Sequence, residues 1–587
     1  MKIKKRKTVQ MFTRWGKILH DDKDAIPLAD YPRMQLRRTQ WQCLNGWWEY
    51  AIVPTGEECS VFEGKIRVPF SPEAALSEVN RTLLPHESLI YQRDVFFEDE
   101  KPNSSVLLHF GAVDQRCEVF FDQKKVGSHT HGYLPFTINL GMIEKGLHTI
   151  RVIVRDDSDT SFHSRGKQSL HPHGIWYSAQ SGIWQTVWFE TVPESHIQTL
   201  YTESDILTGT FIITVRGTGN ERGIIRIFAD DEVAGEASFN GSSRVTVPVR
   251  SIRLWSCEEP FLYDIEITYG DDTVYSYAAM RTISIGFDNH TVSRLLLNNK
   301  PYVHKGILDQ GYWPDGLYTA PSDEALLFDI KTMKSMGFNM LRKHIKIEPD
   351  RWYYHCDRLG MLVWQDMVSG GSSYNPLLIA ANAFLKLPVD DQKHRRITYR
   401  TSLEGRLEFE HEIKKTIRHL KGHPSIVVWV LFNEGWGQFD SLRLAKEVRE
   451  LDATRIIDHA SGWYDQNGPD LRSLHIYFRK IRMPKDHRPI VLSEFGGYSL
   501  PVEDHVYNVE KSFGYKKLST EEQLNTELKK LYEHQIIPYI PKGLCATVYT
   551  QLSDVEDEIN GLVTYDRAIV KVNPDLIVQV HDKMILG

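Results

Sequence analysis

The sequence has little cysteine and no cysteine pattern. Its six cysteines are scattered over 587 residues, and no two are spaced as Cys-x-x-Cys. Regularly spaced cysteines are the usual sign of a disulfide framework or of a zinc site. The sequence therefore predicts reduced, mostly buried thiols and indicates neither a disulfide frame nor a zinc site.

Long apolar runs are also missing. No stretch of about 20 apolar residues, the length that crosses a bilayer, occurs in the chain. After the basic start "MKIKKRK", the segment "TVQMFTRWGKIL" lacks the apolar core of about 7–15 residues that a secretory signal contains. We therefore expect a cytoplasmic protein with no membrane partner.

An excess of positive charge is absent, since the formal net charge is −7. Nucleic-acid binding depends on clustered Lys and Arg, and the one basic cluster is at the N-terminus, where we expect a solvated tail. The composition, with 41% hydrophobic and 25% charged residues, is typical of a globular protein. The chain is too long for one ordinary domain. Its 14 tryptophans and 26 tyrosines also suit flat surfaces that pack on sugar rings.

The first half of the chain has the pattern of β-structure. Short runs rich in Val, Ile, Phe and Thr, such as "SVLLHF", "HTIRVIVRDD" and "TFIITVRG", are separated by Gly, Asp and Pro. Alternation in "DIEITY" followed by Gly270 predicts a hairpin. No helical pattern of 10–15 residues interrupts these runs, so β-sandwiches are favoured, with a joint near residue 193.

From about residue 300, strands alternate with helices. Ser322 and Gly337 are placed to begin and end one helix, and Phe409, Ile413 and Ile417 share one face of another. Eight strand–helix units over residues 300–587 match a (β/α)₈ barrel. A doubly wound sheet has the same alternation, but no GxGxxG follows a strand here.

A barrel brings the C-terminal ends of its strands together on the face that carries active sites. Acids and imidazoles dominate those ends, and Ser or Cys nucleophiles are almost absent; the polar residues there are Asp309, His344, Asp366, Asn433, Glu434, His475, Tyr477 and Glu494. By our count Glu434 closes the fourth strand and Glu494 the seventh, on nearly opposite sides of the rim. Two ordinary solvated strand-end acids are the alternative.

Two facing carboxylates are the catalytic apparatus of glycoside hydrolysis. Retaining enzymes place the two groups about 5–5.5 Å apart, whereas inverting enzymes place them about 6.5–9.5 Å apart. The sequence leaves this distance open.

The segments "LFNEGWG" and "VLSEFGG" resemble the paired signatures of family-2 glycoside hydrolases, which include β-galactosidases, β-glucuronidases and β-mannosidases. "YPRMQLRRTQWQCLNGWWEY", "HGIWYSAQSGIWQTVWFE", "LWSCEEPFLYDIEIT" and "LNNKPYVHKG" resemble further parts of that family in the same order. The resemblance implies a jelly-roll sugar-binding-like domain over residues 1–195, an immunoglobulin-like β-sandwich over 196–292 and a catalytic TIM barrel over 293–587.

The same resemblance implies roles for the strand-end residues. Glu434 would be the general acid/base and Glu494 the nucleophile, while Asn433 would bind the sugar 2-hydroxyl and Tyr477 would orient Glu494. The other substrate-binding candidates are His344, His475, Asp309, Asp366, Tyr549, Trp176 and Trp436. For several of them, a role in supporting the site or the core stays open.

The resemblance implies an exo-acting retaining β-glycosidase on a glycoside or oligosaccharide, with β-galactosidase as the first candidate. β-Mannosidase, α-L-arabinopyranosidase or a non-catalytic carbohydrate-binding homologue are alternatives. β-Glucuronidase is disfavoured, because Asn508 and Lys511 lack the Asn-x-Lys spacing of those enzymes.

No cofactor is expected to be required. Some relatives bind Mg²⁺ or Na⁺, but Glu408, Glu410 and His411 are interpreted as one solvated helix face. The long 368–403 insertion is expected to shape the aglycone side or a subunit contact, and a homo-oligomer stays open.

Overall fold

The computed structural model describes residues 8–99, 102–375, 379 and 388–586. Its first domain is a β-sandwich of two antiparallel sheets, with strand orders β1-β14-β5-β9 and β3-β2-β4-β10-β7-β8. The strands of this region are β1 Trp41–Cys43, β2 Gly46–Pro54, β3 Gly64–Val68, β4 Glu87–Phe97, β5 Ser104–Phe110, β6 Val113–Asp114, β7 Arg116–Phe121, β8 Lys124–Thr130, β9 Phe136–Asn139, β10 Gly146–Arg155, β11 Gln168–Ser169, β12 Tyr177–Ser178, β13 Gly182–Ile183 and β14 Val187–Pro193.

A second sandwich follows the joint after Pro193. Its sheets have the orders β15-β16-β19 and β18-β17-β20-β21, and Phe211, Ile227 and Tyr263 lie in its core. The strands are β15 Ile197–Asp205, β16 Thr210–Gly217, β17 Arg222–Ala229, β18 Glu232–Asn240, β19 Ser243–Pro248, β20 Tyr263–Tyr269 and β21 Asp272–Ala278. Strands β20 and β21 form the hairpin predicted at Gly270, whose φ is +54°.

A small antiparallel sheet leads into the last domain, formed by β22 Ile283–Phe287, β23 Ser293–Leu297 and β24 Lys300–Pro301. Eight parallel strands then form a nearly closed barrel, in which hydrogen bonds link all neighbours except β29 and β30. They are β25 His304–Asp309, β26 Met340–Lys343, β27 Leu362–Asp366, β28 Ile426–Val430, β29 Ile456–Asp458, β30 Arg472–Ile476, β31 Ile490–Gly496 and β34 Leu544–Thr550. The short β32 Tyr498–Ser499 and β33 Lys516–Lys517 lie outside the barrel sheet. The predicted fold class, two β domains followed by a TIM barrel, is confirmed.

Most barrel strands are followed by helices, as the amphipathic patterns predict. The helices are α1 Arg14–Asp21, α2 Asp323–Ser335, α3 Asp350–Leu359, α4 Leu403–Leu420, α5 Ser441–Leu451, α6 Glu521–Gln535 and α7 Pro574–Asp582, and short 3₁₀ turns lie at Met34–Leu36, Ala75–Ser77, Ser158–Thr160 and Ile537–Tyr539. The Ser322 hydroxyl caps α2 by accepting from the Ala325 N–H, and α4 buries Phe409, Ile413 and Ile417.

The sequence pattern overestimates the number of helices. Residues 459–471 and 477–489, described throughout, connect the fifth, sixth and seventh barrel strands and contain no helix. Among the described residues, no helix is long and apolar enough to cross a membrane.

Alternation along the barrel strands separates two apolar layers. Met340, Trp364 and Val428 belong to a cluster inside the barrel, whereas Leu341 and Val363 pack with the surrounding helices. Because adjacent strand residues point to opposite faces, the same alternation decides which polar side chains reach the site.

Candidate active site

Glu434 and Glu494 lie together at the C-terminal rim of the barrel. Glu494 is within β31, the seventh barrel strand, and Glu434 follows β28, the fourth. One carboxylate oxygen of each and a ring nitrogen of His475 all lie within 4.8 Å of one another. The carboxyl side chains are only 12% and 6% exposed. The order and proximity predicted for the two acids are therefore present.

The backbone at Glu434 has an unusual conformation. Its φ is +50°, in the left-handed region that side-chain-bearing residues seldom adopt, and Gly435 next to it also has a positive φ. The Glu434 N–H donates to the Ser461 carbonyl over 2.9 Å, which holds this turn against the next strand connection. Such backbone strain is concentrated at functional sites.

Arg342, on β26, connects most of the polar side chains in the barrel. Its guanidinium donates to both Asp366 oxygens at 2.9 and 3.0 Å, to Glu494 Oε1 at 3.1 Å and to Asn433 Oδ1 at 2.9 Å. Burial opposes its charge, but the carboxylates of Asp366 and Glu494 outweigh burial and raise the pKa of Arg342. It therefore remains a fixed cation beneath the two glutamates.

Opposing influences act on the ionisation of Glu494. Burial raises the pKa of its carboxyl group, and the nearby Glu434 acts in the same direction, while His475 and Arg342 oppose them. The Tyr477 hydroxyl donates to Glu494 Oε2, as predicted, and burial keeps the pKa of Tyr477 well above its ordinary value. Tyr515 stacks on Tyr477 with ring centroids 3.8 Å apart.

His475 bridges the two glutamates. Its Nδ1 lies 2.9 Å from Glu434 Oε1 and 3.5 Å from Glu494 Oε2. On the other side of the ring, Arg342 donates to Nε2 at 3.4 Å. The Ser461 hydroxyl also lies 3.1 Å from Nε2, so contacts on both ring nitrogens hold the imidazole between the two glutamates.

His344 and Asp366 form a supporting pair. His344 Nδ1 lies 2.9 Å from Asp366 Oδ2, and both residues are buried. Burial, together with the charges of Lys167 and Arg342, holds the pKa of His344 well below its ordinary value, so the ring is neutral. Asp366 thus orients His344 and Arg342, and a direct role of either residue in substrate binding stays a prediction.

Aromatic side chains line one side of the rim. Trp176, from the first domain, lies 5.0 Å from Trp436 and 5.3 Å from Tyr374, measured between ring centroids. Trp436 is buried and Trp176 is half-buried. Tyr374 belongs to the 368–403 insertion, of which residues 376–378 and 380–387 lie outside the described residues, so the structure leaves its predicted role untested.

Two predicted substrate ligands lie elsewhere. Asp309 ends β25 on the outer face, where its carboxylate pairs with Lys343 at 2.7 Å. Tyr549 packs against Phe495 in the layer between barrel and helices, and its hydroxyl accepts from the Tyr498 N–H. Strand parity explains both positions, because the side chains of adjacent strand residues point to opposite faces. A role of either residue in substrate binding stays a prediction.

Of the residues that follow them, Thr550 contacts the site. Gln310 donates to Gln551 Oε1 at 2.7 Å, and Thr550 lies 2.9 Å from the Tyr477 hydroxyl. Arg342 and Tyr515 were not among the predicted site residues either. Arg342 had a signal, since a basic residue inside the buried strand "FNMLRKH" requires acidic partners, whereas Tyr515 lies in an irregular segment with no such signal.

Of the residues predicted on a solvated face of α4, His411 is exposed, whereas Glu408 is partly buried. Glu408 accepts from His163 Nδ1 at 2.7 Å, and Glu412 lies 3.4 Å from His131 Nδ1, so α4 pairs with the first domain. Among the described residues, ligand atoms of His131, Glu408 and Glu412 approach within 4.8 Å, as do those of Glu434, His475 and Glu494. That no metal is required stays a prediction.

Comparison with known proteins agrees with this architecture. Residues 290–542 match the family model described as glycosyl hydrolases family 2, TIM barrel domain. The β-galactosidase of Streptococcus thermophilus is 24% identical over 395 residues, which cover 63% of this chain but only 35% of that protein. The chain thus spans about a third of the length of this curated relative.

Two solved structures cover nearly the whole chain. The β-D-glucuronidase of Dictyoglomus thermophilum superposes with a TM-score of 0.72 at 16% identity, covering 94% of this chain and 98% of that one. The family-2 β-galacturonidase of Eisenbergiella tayi bound to galacturonate gives a TM-score of 0.69 at 19% identity, covering 95% and 100%. At these identities the likeness shows a shared fold. The barrel match over residues 290–542, which contain both glutamate motifs, together with the curated relatives and the shared fold, supports a family-2 glycoside hydrolase.

Proposed function

We propose that this protein is an exo-acting retaining β-glycosidase that removes terminal β-linked sugars by double displacement. The observation that carries the proposal is the separation of less than 4.8 Å between carboxylate oxygens of Glu434 and Glu494. Retaining enzymes place their two carboxyl groups about 5–5.5 Å apart, and inverting enzymes leave about 6.5–9.5 Å. The closer spacing favours direct attack on the sugar by one of the two carboxylates.

In the proposed first step, Glu494 attacks the anomeric carbon while Glu434 protonates the leaving oxygen. The C–O bond to the aglycone breaks, and its electron pair stays on the oxygen that receives the proton. Arg342 and Tyr477 both donate to Glu494, which orients the carboxylate and stabilises its charge. Glu434 is the more exposed of the two, as suits a group that meets the aglycone.

In the proposed second step, Glu434 removes a proton from water, and the resulting oxygen nucleophile displaces Glu494 from the sugar. His475 links the two glutamates and is placed to adjust to the changing charge of each. Asn433 presents its Oδ1 to Arg342, which leaves its NH₂ group to donate to the sugar 2-hydroxyl. That contact strengthens in the oxocarbenium-like transition state.

An exo mode of action is supported by the first domain. The Arg165 and Gly166 N–H groups donate to the Ser369 carbonyl, so a loop of the jelly roll lies against the loop after the third barrel strand. This contact closes one side of the rim. We infer that the site accepts the end of a glycan.

The galacto configuration is the first candidate for the sugar. It is common to the β-galactosidase relative and to the structure bound to galacturonate. β-Mannosides and α-L-arabinopyranosides are the neutral alternatives, and a carbohydrate-binding protein without turnover is the alternative from another class.

The test is hydrolysis of a panel of 4-nitrophenyl glycosides, with the anomeric configuration of the first-formed sugar followed by NMR. We expect turnover of a galacto-configured β-glycoside with release of the β-anomer. Release of the α-anomer would refute the retaining mechanism. Binding of sugars without turnover of any member would favour the non-catalytic alternative.

A further inference from the structure

Lys167 is a buried lysine that forms no ion pair with any carboxylate of the described residues. It lies in the jelly-roll segment between β10 and β12 and is only 6% exposed. Its ammonium contacts the ring faces of Tyr177 and Trp436, with 5.5 and 5.9 Å to the centroids. No Asp or Glu among the described residues forms an ion pair with it, and residues 376–378 and 380–387, outside the described part, include no Asp or Glu.

The other buried lysines of the described structure are all neutralised. Lys343 pairs with Asp309, Lys346 with Glu348 and Lys571 with Asp554, at 2.7–2.8 Å. Lys167 instead packs on two aromatic faces, which stabilise a mostly buried cation less than a carboxylate does. Among the buried lysines of the described structure, Lys167 therefore differs in having no carboxylate partner.

Lys167 lies at the rim of the proposed active site. Trp436 follows the general acid candidate Glu434 by two residues. The charge of Lys167 acts on His344, where it is the strongest influence after burial in holding the pKa of the imidazole down. Tyr177, beneath the ammonium, donates its hydroxyl to Glu558.

The backbone holds this lysine in place. The Lys167 carbonyl accepts from the Tyr177 N–H at 3.0 Å. Gly166 has a φ of +62°, and a Cβ there would lie 3.0 Å from the Ile345 carbonyl, so the segment approaches the loop after β26 closely. Lys167 is thus fixed against the barrel rim, as a preorganised binding group must be.

We propose that Lys167 binds an anionic group of the sugar, either the carboxylate of a uronic acid or a sulfate ester, so that the enzyme selects acidic β-glycosides. This inference rests on the proposed glycosidase function. The anionic group would be recognised by a residue of the first domain, so that the Asn-x-Lys motif of β-glucuronidases would not be needed. Asn508 instead donates to Asp557 at 2.7 Å, and Lys511 is exposed.

The test compares 4-nitrophenyl β-D-galactopyranoside, its 6-sulfate and 4-nitrophenyl β-D-galacturonide on wild type, Lys167→Met and Lys167→Arg. Exposed Lys124→Met is the matched control on the same domain. We expect wild type to prefer one acidic substrate, and Lys167→Met to lower the acidic-to-neutral ratio of kcat/KM by about 100-fold, as loss of a buried charge partner does. Lys167→Arg should restore part of that ratio, and Lys124→Met should keep it. The preferred substrate distinguishes carboxylate from sulfate.

Calorimetric titration with D-galacturonate, galactose 6-sulfate and D-galactose provides a readout without turnover. We expect one acidic sugar to bind more tightly than galactose to wild type, and not to Lys167→Met. The Tm of Lys167→Met should not fall, because the substitution removes an uncompensated buried charge. A fall in Tm with unchanged sugar selectivity would make Lys167 a structural residue and overturn the inference.

The two proposals fail in different ways. Turnover with a preference for the neutral substrate that Lys167→Met leaves unchanged would overturn the role of Lys167 and keep the glycosidase. Binding of an acidic sugar that depends on Lys167, with no turnover of any substrate, would overturn the glycosidase and keep the anion site.

Discussion

Two neighbouring residues on β26, Arg342 and Lys343, belong to two very different charge clusters. Lys343 points outward to Trp352 and pairs with Asp309 and Glu348, and Lys346 completes that cluster. Arg342 points inward, where it contacts Asp366 and Glu494. The same backbone segment therefore supplies a cation to the barrel wall and another to the barrel interior.

The difference between them lies in the balance of charge. The outer cluster has two lysines and two carboxylates, and all four residues are nearly inaccessible to water. The inner cluster has one guanidinium for the carboxylates of Asp366, Glu434 and Glu494, with His475 between the last two. In the outer cluster, burial lowers the pKa of Lys346 to about 8. In the inner cluster, an excess of carboxylates favours the uptake of a proton, which a general acid requires.

The largest expected effect comes from Glu494→Ala. If Glu494 is the nucleophile, kcat should fall by at least about 10⁴-fold, because the covalent intermediate cannot form. The measurement is the initial rate of nitrophenol release from the best substrate of the panel.

Azide provides the control for the loss of Glu494. It should occupy the space of the carboxylate and restore turnover, with formation of the α-glycosyl azide, detected by NMR. A variant that retains most of its activity without azide would show that the inner cluster is not the reaction centre.

Glu434→Gln should have the next largest effect. Loss of general acid–base catalysis costs about 10²–10⁴-fold, and the loss should be smaller for substrates with a good leaving group, which need no proton. The measurement compares kcat/KM, which reports the first step, for dinitrophenyl and methyl glycosides in wild type and variant. An equal loss for both leaving groups would contradict the assignment.

A substitution in the outer cluster should lower the free energy of unfolding. Removing one partner of a buried ion pair costs about 3–5 kcal/mol, so Lys343→Met should lower the denaturant midpoint of the barrel while the folded enzyme keeps its kcat. Because Asp309 is then left unpaired, the double variant Lys343→Met/Asp309→Asn should recover part of the loss. A large fall in kcat without loss of stability would instead place Asp309 in the substrate site, as the sequence predicts.

The barrel and its two glutamates could be predicted because local patterns determine them. Apolar runs that end in an acid, in "VVWVLFNE" and "PIVLSE", mark buried strands that reach a polar rim. The sequence does not determine which face Asp309 and Tyr549 occupy, since a strand end displaced by one residue reverses the face.

Contacts between distant parts of the chain could not be predicted from local patterns. Lys167 reaches Trp436 across 269 residues, and the loop that carries it belongs to another domain. The residues that flank Lys167 and Trp436 in the sequence do not predict a contact between them. The unpaired state of Lys167 becomes visible only when every buried lysine can be compared with its surroundings.

The smallest expected effect is a shift in the pH profile of Tyr477→Phe. The Tyr477 hydroxyl donates to Glu494 and lowers the pKa of that carboxyl, against the burial that raises it. Removing the donor should raise the pKa of Glu494 further, because a hydrogen bond to the charged carboxylate is lost. Since Glu494 must be ionised to attack, activity is lost as pH falls through this pKa, and the acidic limb of kcat/KM should move to higher pH.

Thr550→Val is the matched control, because it removes the other partner of the Tyr477 hydroxyl and keeps the donation to Glu494. Its acidic limb should stay where wild type has it, so that only Tyr477→Phe loses kcat/KM on the acidic side of the profile. If Tyr477→Phe instead raised KM equally at every pH, Tyr477 would contact the sugar and leave the charge of the nucleophile unchanged. Arg342 and His475 alone would then counter the negative charge of the carboxylates in the inner cluster.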